Sequence, residues 1–149
     1  MRITIRQAGL ADTDTVAPLF DHYRQFYQQQ SDPGLAREFI HERLALRESV
    51  IFLAENEAGE AIGFTQLYPS FTSVGARRIW VLNDLFVSGA ARGEGTGSAL
   101  LNAAKEHARS TGAKRLDLST AHDNPAQKLY ESHGYVQEQG FFHYSLALE

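Results

Sequence analysis

Residues 77 to 87, RRIWVLNDLFV, form the most apolar run of this 149-residue chain, and SGAARGEGTGS and then ALLNAAKEHARST follow it directly. The first segment is rich in the β-branched and aromatic residues that suit a central strand. The second interrupts every periodicity, and the third sets Leu100, Leu101, Ala104 and Ala108 at helical spacing. A buried strand, a glycine-rich turn and an amphipathic helix in that order fix the centre of the fold. Gly112 stands where a residue with left-handed backbone would end the helix.

The remaining periodicities place the other elements around this centre. RITIRQ, residues 2 to 7, alternates as a half-buried strand. From Asp12 onward, Val16, Leu19, Phe20, Tyr23, Phe26 and Tyr27 recur at three- and four-residue steps, which predicts a long helix capped by Asp12 or Thr13. After SDPG, the residues Leu35, Phe39, Ile40 and Leu44 predict a second helix, opened by Pro33 and ending near Ser49. VIFLAE and AIGFTQLYPSF are expected to pair antiparallel across ENEAGE. KRLDLST alternates as a strand, DNPAQKLYESH reads as a short helix ended by Gly134, and YVQEQGFFHYSLAL reads as two final strands broken at Gly140. The predicted order is β-α-α-β-β-β-α-β-α-β-β. This is a mixed α/β (α+β) class, with a mostly antiparallel central sheet flanked by four helices, in a single domain spanning residues 1–149.

Composition narrows the chemistry. The absence of cysteine excludes a disulfide, a cysteine nucleophile and a thiolate metal site. A net charge of −4 weighs against a nucleic-acid partner, which calls for a basic stripe. No apolar stretch approaches the length of a membrane span, so no membrane partner is expected. The amino terminus resembles neither a signal nor a transit peptide, so a cytoplasmic location is expected. The six histidines make no helical i, i+4 pair with a carboxylate, and no metal is expected. No Gly-x-Ser-x-Gly elbow occurs, which argues against a serine hydrolase.

Arg92, Gly93, Glu94, Gly95, Thr96, Gly97 and Ser98 lie between the strong strand and the strong helix. Glycines let backbone amides turn toward a ligand, and the helix start adds unpaired donors and a positive dipole end, so an anion such as a pyrophosphate can dock there. The Lys-Ser/Thr of a nucleotide-hydrolysing loop is missing, as is the acidic ribose partner of a dinucleotide fingerprint. A tight strand-to-helix turn without a ligand is the alternative.

The Arg-x-x-Gly-x-Gly spacing at Arg92, together with Ala126, Leu129, Tyr130, Gly134 and Tyr135 downstream, resembles the GCN5-related N-acetyltransferase family across essentially the whole chain. The resemblance implies acetyl-CoA as co-substrate, its pyrophosphate held by Arg92 to Ser98 and its pantetheine arm by the backbone of Leu85, Phe86 and Val87. It implies Tyr130 as the acid that protonates the departing thiolate, and the Leu85 N–H as the oxyanion donor. The family's Asn position falls on Asp123, with Asn124 one place later, and either can face the cofactor. The first helix and WVLNDLFV look like the subgroup acting on polyamines, histone tails or free amino acids. Family habit further implies a homodimer, with GFFHYSLALE as an edge able to pair across a two-fold axis.

Acetyl transfer to an amine needs a neutral nucleophile, and a lysine-like amine is neutral in only about one molecule per 2,500 at pH 7, a deficit of roughly 4.6 kcal/mol. Asp84 is the candidate base or substrate contact, because a carboxylate within the most apolar strand must be paired, hydrated or functional. Capping a bulge, or pairing with Arg77 or Arg78, is the alternative. Asn83 is expected to orient a water or the amine beside it. Tyr23, Phe26 and Tyr27 either line the acceptor pocket or belong to the core. The expected activity is transfer to a primary amine such as a polyamine or an amino acid, by direct transfer in a ternary complex. The alternatives are a peptide acceptor, at a lysine or an amino terminus, and a non-catalytic acyl-CoA-binding module.

Overall fold

The computed structural model describes residues 2–149, and the chain divides into two compact units, Met1–Ser119 and Thr120–Glu149. The first unit carries a five-stranded sheet in sequential order. Its strands are β1 (Thr4–Gln7), β2 (Val50–Glu55), β3 (Ala61–Thr72), β4 (Arg77–Val87) and the two-residue β5 (Leu116–Asp117). The first four pair antiparallel, and β5 joins β4 in parallel at Trp80 and Val81. The helices of this unit are α1 (Thr13–Phe26), α2 (Pro33–Ala45) and α3 (Thr96–Ser110).

Alternation along β2 explains the layering. Ile51 and Leu53 join Val16, Leu19 and Phe20 of α1 and Ala36 and Ile40 of α2 in one apolar cluster. Phe52 and Ala54, pointing the other way, pack with Leu100 of α3. The sheet therefore lies between α1 and α2 on one face and α3 on the other. Asp21, buried within α1, accepts the Ser31 hydroxyl at 2.6 Å and the Asp32 amide at 2.8 Å, which ties down the connection to α2. Asp32 in turn caps α2 by accepting the Leu35 amide at 3.1 Å.

Some boundaries differ from the sequence expectation for identifiable reasons. Asp12 precedes α1, but its carboxylate is used by Arg6 and the Gly9 amide and caps a preceding 3-10 turn instead. The second helix stops at Ala45, short of Ser49, and Arg47 takes a positive φ of 54° in the turn that follows. Gly112, at φ 73°, ends α3 as expected.

The second unit contains α4 (Ala126–Ser132), closed by Gly134 at φ 90°. The two final strands expected over YVQEQGFFHYSLAL are not formed. Alternating apolar residues give a segment the capacity to pair but supply no partner, and a strand exists only as part of a hydrogen-bonded ladder. Val136, Phe141, Phe142, Tyr144, Leu146 and Leu148 are all exposed.

Candidate active site

The glycine-rich turn leads from β4 into α3. Gly93 and Gly95 adopt φ values of 81° and 84°, and an added Cβ would meet nothing within 4 Å at either, so backbone conformation rather than crowding selects glycine. The first helical bond of α3 runs from the Ala99 amide to the Gly95 carbonyl at 3.0 Å. The amides of Thr96 and Gly97 precede that bond and lie outside the helix ladder. Thr96 is 1% exposed, and its hydroxyl has no hydrogen-bond partner among the described residues. A buried orphan hydroxyl, the helix-start amides of Thr96 and Gly97 and the positive end of the helix dipole form a cradle suited to a pyrophosphate. Arg92 donates from Nε to the Val87 carbonyl at 3.1 Å and lies 5.9 Å from the Phe26 ring centre, while Glu94 is exposed beside it.

The edge of β4 opens just before this cradle. Beyond Val81 the pairing with β5 ends. The Ser88 amide bonds to Ile62 at 2.8 Å, and the Asp84 carbonyl accepts the Thr65 hydroxyl at 2.8 Å, so both backbone groups face β3. Strand alternation then directs the peptide groups of Leu85 and Val87 to the opposite edge and that of Phe86 toward β3. Arg92 uses the Val87 carbonyl on that open edge. The Leu85 amide lies on the same edge, as an oxyanion donor must.

Asp84 lies at an irregularity in the sheet. Gln66 of β3 faces Asp84 whereas Leu67 faces Leu82, so Asn83 is an extra residue bulged out of β4. Asp84 is 1% exposed, and its oxygens accept the Gln66 amide at 2.6 Å and the Asn83 amide at 2.7 Å. Ser49 in turn donates to the Gln66 carbonyl oxygen at 2.8 Å. Among the described residues no arginine pairs with the carboxylate: Arg77 donates to the Gly112 carbonyl, and Arg78 stacks on Phe71 and Trp80. Burial pushes the Asp84 carboxyl up to about 6, with the Asn83 and Gln66 bonds opposing. A carboxylate held by neutral amides in a buried bulge can exchange a proton near neutral pH.

Tyr23, Phe26 and Tyr27 sit at the carboxyl end of α1. Tyr23 is a core residue and a wall of the site at once: its ring packs against Phe64, and its hydroxyl donates to the Asn83 carbonyl at 3.2 Å. Phe26 and Tyr27 are 46% and 43% exposed and lie edge-on to one another, outside the packed core. Gln66 and Ser49 were not singled out from the sequence. Their signal was available, since Gln66 interrupts the apolar alternation of Phe64 and Tyr68 at a position that ought to be buried and apolar.

In the second unit, Tyr130 of α4 is buried, and its ring centre lies 5.9 Å from that of Tyr135. Asn124 accepts the Ala126 amide at 2.9 Å and so caps the first turn of α4, whereas Asp123 is exposed. Burial pushes the Tyr135 hydroxyl up to about 12. Among the described residues no group of three or more His, Asp or Glu could hold a metal, and no helix is long and apolar enough to cross a membrane.

Comparison with known proteins is consistent with this geometry. The Acetyltransferase (GNAT) family matches residues 16–135. The uncharacterized N-acetyltransferase YhfO of Bacillus subtilis (strain 168) is 53% identical over 145 residues, covering 97% of both chains. An aminoalkylphosphonate N-acetyltransferase of Salmonella typhimurium is 32% identical over 97% of this chain and 90% of its own. The crystal structure of a probable acetyltransferase superposes with a TM-score of 0.92 at 45% identity, covering 100% of this chain and 99% of that one.

Proposed function

Because the chain belongs to the GNAT acetyltransferase family and is an acyltransferase, we propose that it moves the acetyl group of acetyl-CoA to the primary amine of a small molecule, by direct transfer in a ternary complex. The buried, amide-held carboxylate of Asp84, between Asn83, whose carbonyl accepts the Tyr23 hydroxyl, and Leu85 on β4, is the observation that carries this reading. The small-amine acceptor is supported by the substrate in the name of the Salmonella relative. Direct transfer is supported by the absence of cysteine, which removes the most nucleophilic side chain from any covalent route.

Acetyl-CoA supplies an activated acyl carbon and a thiol leaving group. Arg92, Gly93, Glu94, Gly95, Thr96, Gly97 and Ser98 form the cradle for its pyrophosphate, and the backbone of Leu85, Phe86 and Val87 runs beside the pantetheine arm. Asp84 takes the proton of the acceptor ammonium, and the freed nitrogen pair forms the new C–N bond. The Leu85 N–H holds the oxyanion that develops on the carbonyl oxygen. As the C–S bond breaks, Tyr130 gives its phenolic proton to the sulfur, and the second proton shed by the acylated nitrogen restores the phenol, while the proton on Asp84 passes to solvent. The products are the N-acetyl amine and CoA thiol.

The test is thiol release from acetyl-CoA across amino acids, aminoalkylphosphonates, spermidine, an aminoglycoside and a lysine peptide, with the product mass read directly. Release with an N-acetylated small amine is the expected result. Release with the peptide alone would move the acceptor to protein, and tight acetyl-CoA binding without release to any amine would make the chain a binding module.

Gly95→Val is expected to raise the KM for acetyl-CoA by about tenfold or more. A β-branched residue at φ 84° strains the turn by roughly 1–2 kcal/mol and withdraws the helix-start amides. Calorimetric titration of CoA measures the same loss without turnover.

The chain is also proposed to form a homodimer through residues 140–149, whose exposed Phe141, Phe142, Tyr144, Leu146 and Leu148 would be covered by the same segment of a second copy. Light scattering is expected to give twice the chain mass of 16.6 kDa, and Phe142→Lys with Tyr144→Lys to give the single mass.

A further inference from the structure

A cleft of about 560 Å³ opens between the end of α2 and β3, lined by Phe39, Arg43, Arg47, Glu48, Tyr68 and Pro69. It is connected to the buried carboxylate through β3. Tyr68 follows Gln66 by two residues on β3, so both side chains leave the same face of the sheet roughly 7 Å apart, and Gln66 is bonded to Asp84.

The cleft is rich in uncommitted donors. Arg43 places Nε and Nη2 on Glu48 and Glu42, which leaves its Nη1 edge unused. Arg47 makes no ion pair among the described residues and lines the cleft from the left-handed turn, φ 54°, that closes α2, where the Arg47 and Glu48 amides bond to the Leu44 and Arg43 carbonyls. The Tyr68 hydroxyl makes no hydrogen bond among the described residues. Burial pushes that hydroxyl up to about 12, with Asp84 adding to the rise and Arg43 opposing it, so it stays protonated and can donate. Glu48, the single carboxylate lining the cleft, is already committed to Arg43.

We propose that this cleft holds an oxyanion group on the acceptor, a carboxylate or a phosphonate, with Arg47 as the principal contact and the Arg43 edge and Tyr68 hydroxyl beside it. The inference rests on the acetyltransferase reading and narrows it. The acceptor is then an amine whose nitrogen lies one or two carbons from an acidic group. Such a molecule, with a hydrogen bond of about 2.9 Å at each end, matches the roughly 7 Å that strand geometry sets between Gln66, the partner of Asp84, and Tyr68 of the cleft. The arrangement selects at both ends: the acid is read by a guanidinium, and the amine is delivered to the buried carboxylate. A polyamine, which carries positive charge at every binding position, would meet two arginines here.

The test has two readouts. In the first, glycine and aminomethylphosphonate are titrated into the protein saturated with CoA, for the wild type, Arg47→Ala and Arg47→Lys. Arg47→Ala is expected to weaken binding by roughly 10- to 100-fold, the range for hydrogen bonds to charged groups, and Arg47→Lys to restore part of it. The arm with the lower dissociation constant distinguishes carboxylate from phosphonate. In the second, the ratio of kcat/KM for glycine to that for glycinamide is compared between the wild type and Arg47→Ala. The ratio is expected to fall by about tenfold or more, whereas a merely structural role for Arg47 would lower both values together and leave the ratio in place. Acetylation of spermidine with no preference for acid-bearing amines would overturn the inference and leave the acetyltransferase reading standing. Arg47-dependent binding of glycine without transfer to any amine would uphold the cleft and overturn the reading. Binding unaffected by Arg47→Ala would overturn the inference.

Discussion

Asp84→Asn is expected to lower kcat by roughly 10²- to 10⁴-fold, the usual worth of a general base, and at the same time to make the protein more stable above pH 6. The two effects have one cause. Burial holds the Asp84 carboxyl at about 6, against an ordinary value of 3.8. A carboxyl raised on folding favours the fold fully below the unfolded value, and that contribution is lost as pH rises through the folded one. By pH 8 the ionised group costs on the order of 3 kcal/mol, which asparagine removes. Urea unfolding at pH 4 and pH 8 measures the stability effect. The variant should be close to wild type at pH 4 and should gain at pH 8. A residue that lowers stability, and whose removal stops turnover, is retained for its chemistry rather than for the fold. Equal kcat in the variant would remove Asp84 from the reaction.

Tyr130→Phe is expected to lower kcat by roughly 10²- to 10³-fold while the dissociation constant for CoA stays within about twofold. The substitution deletes one hydroxyl and keeps the ring that packs on Tyr135 at 5.9 Å. A kcat within about threefold of wild type would assign the thiolate's proton to another donor.

Elements defined by local pattern were legible in the sequence. α1 and α3 follow from their apolar spacing, β4 from its run of β-branched and aromatic residues, and the turn between them from Gly93 and Gly95, whose positive φ values only glycine adopts freely. Groups defined by distant partners were less so. The bulge at Asn83 depends on how β4 registers against β3, and the Ser49–Gln66–Asp84 chain joins residues 17 and 18 positions apart. The sequence raised Asp84 because its strand is apolar, but it offered Arg77 and Arg78 as partners when the actual ones are the amides of Gln66 and Asn83. The cleft near Arg47 was equally hidden, since it arises where α2 ends early, at Ala45, and the chain turns through a left-handed residue. The final two strands were over-read, because alternation in GFFHYSLAL describes a face without saying what covers it.

The most direct test of a carboxylate base on β4 is the pH dependence of kcat/KM for the best acceptor, in the wild type and in Gln66→Leu. The wild-type profile is expected to fall on the acid side with an apparent pKa of about 6, and the limb should move to higher pH in Gln66→Leu, which removes a hydrogen bond that favours the ionised form. A profile without an acid limb between pH 5 and 7, or one that Gln66→Leu leaves in place, would contradict proton abstraction by Asp84.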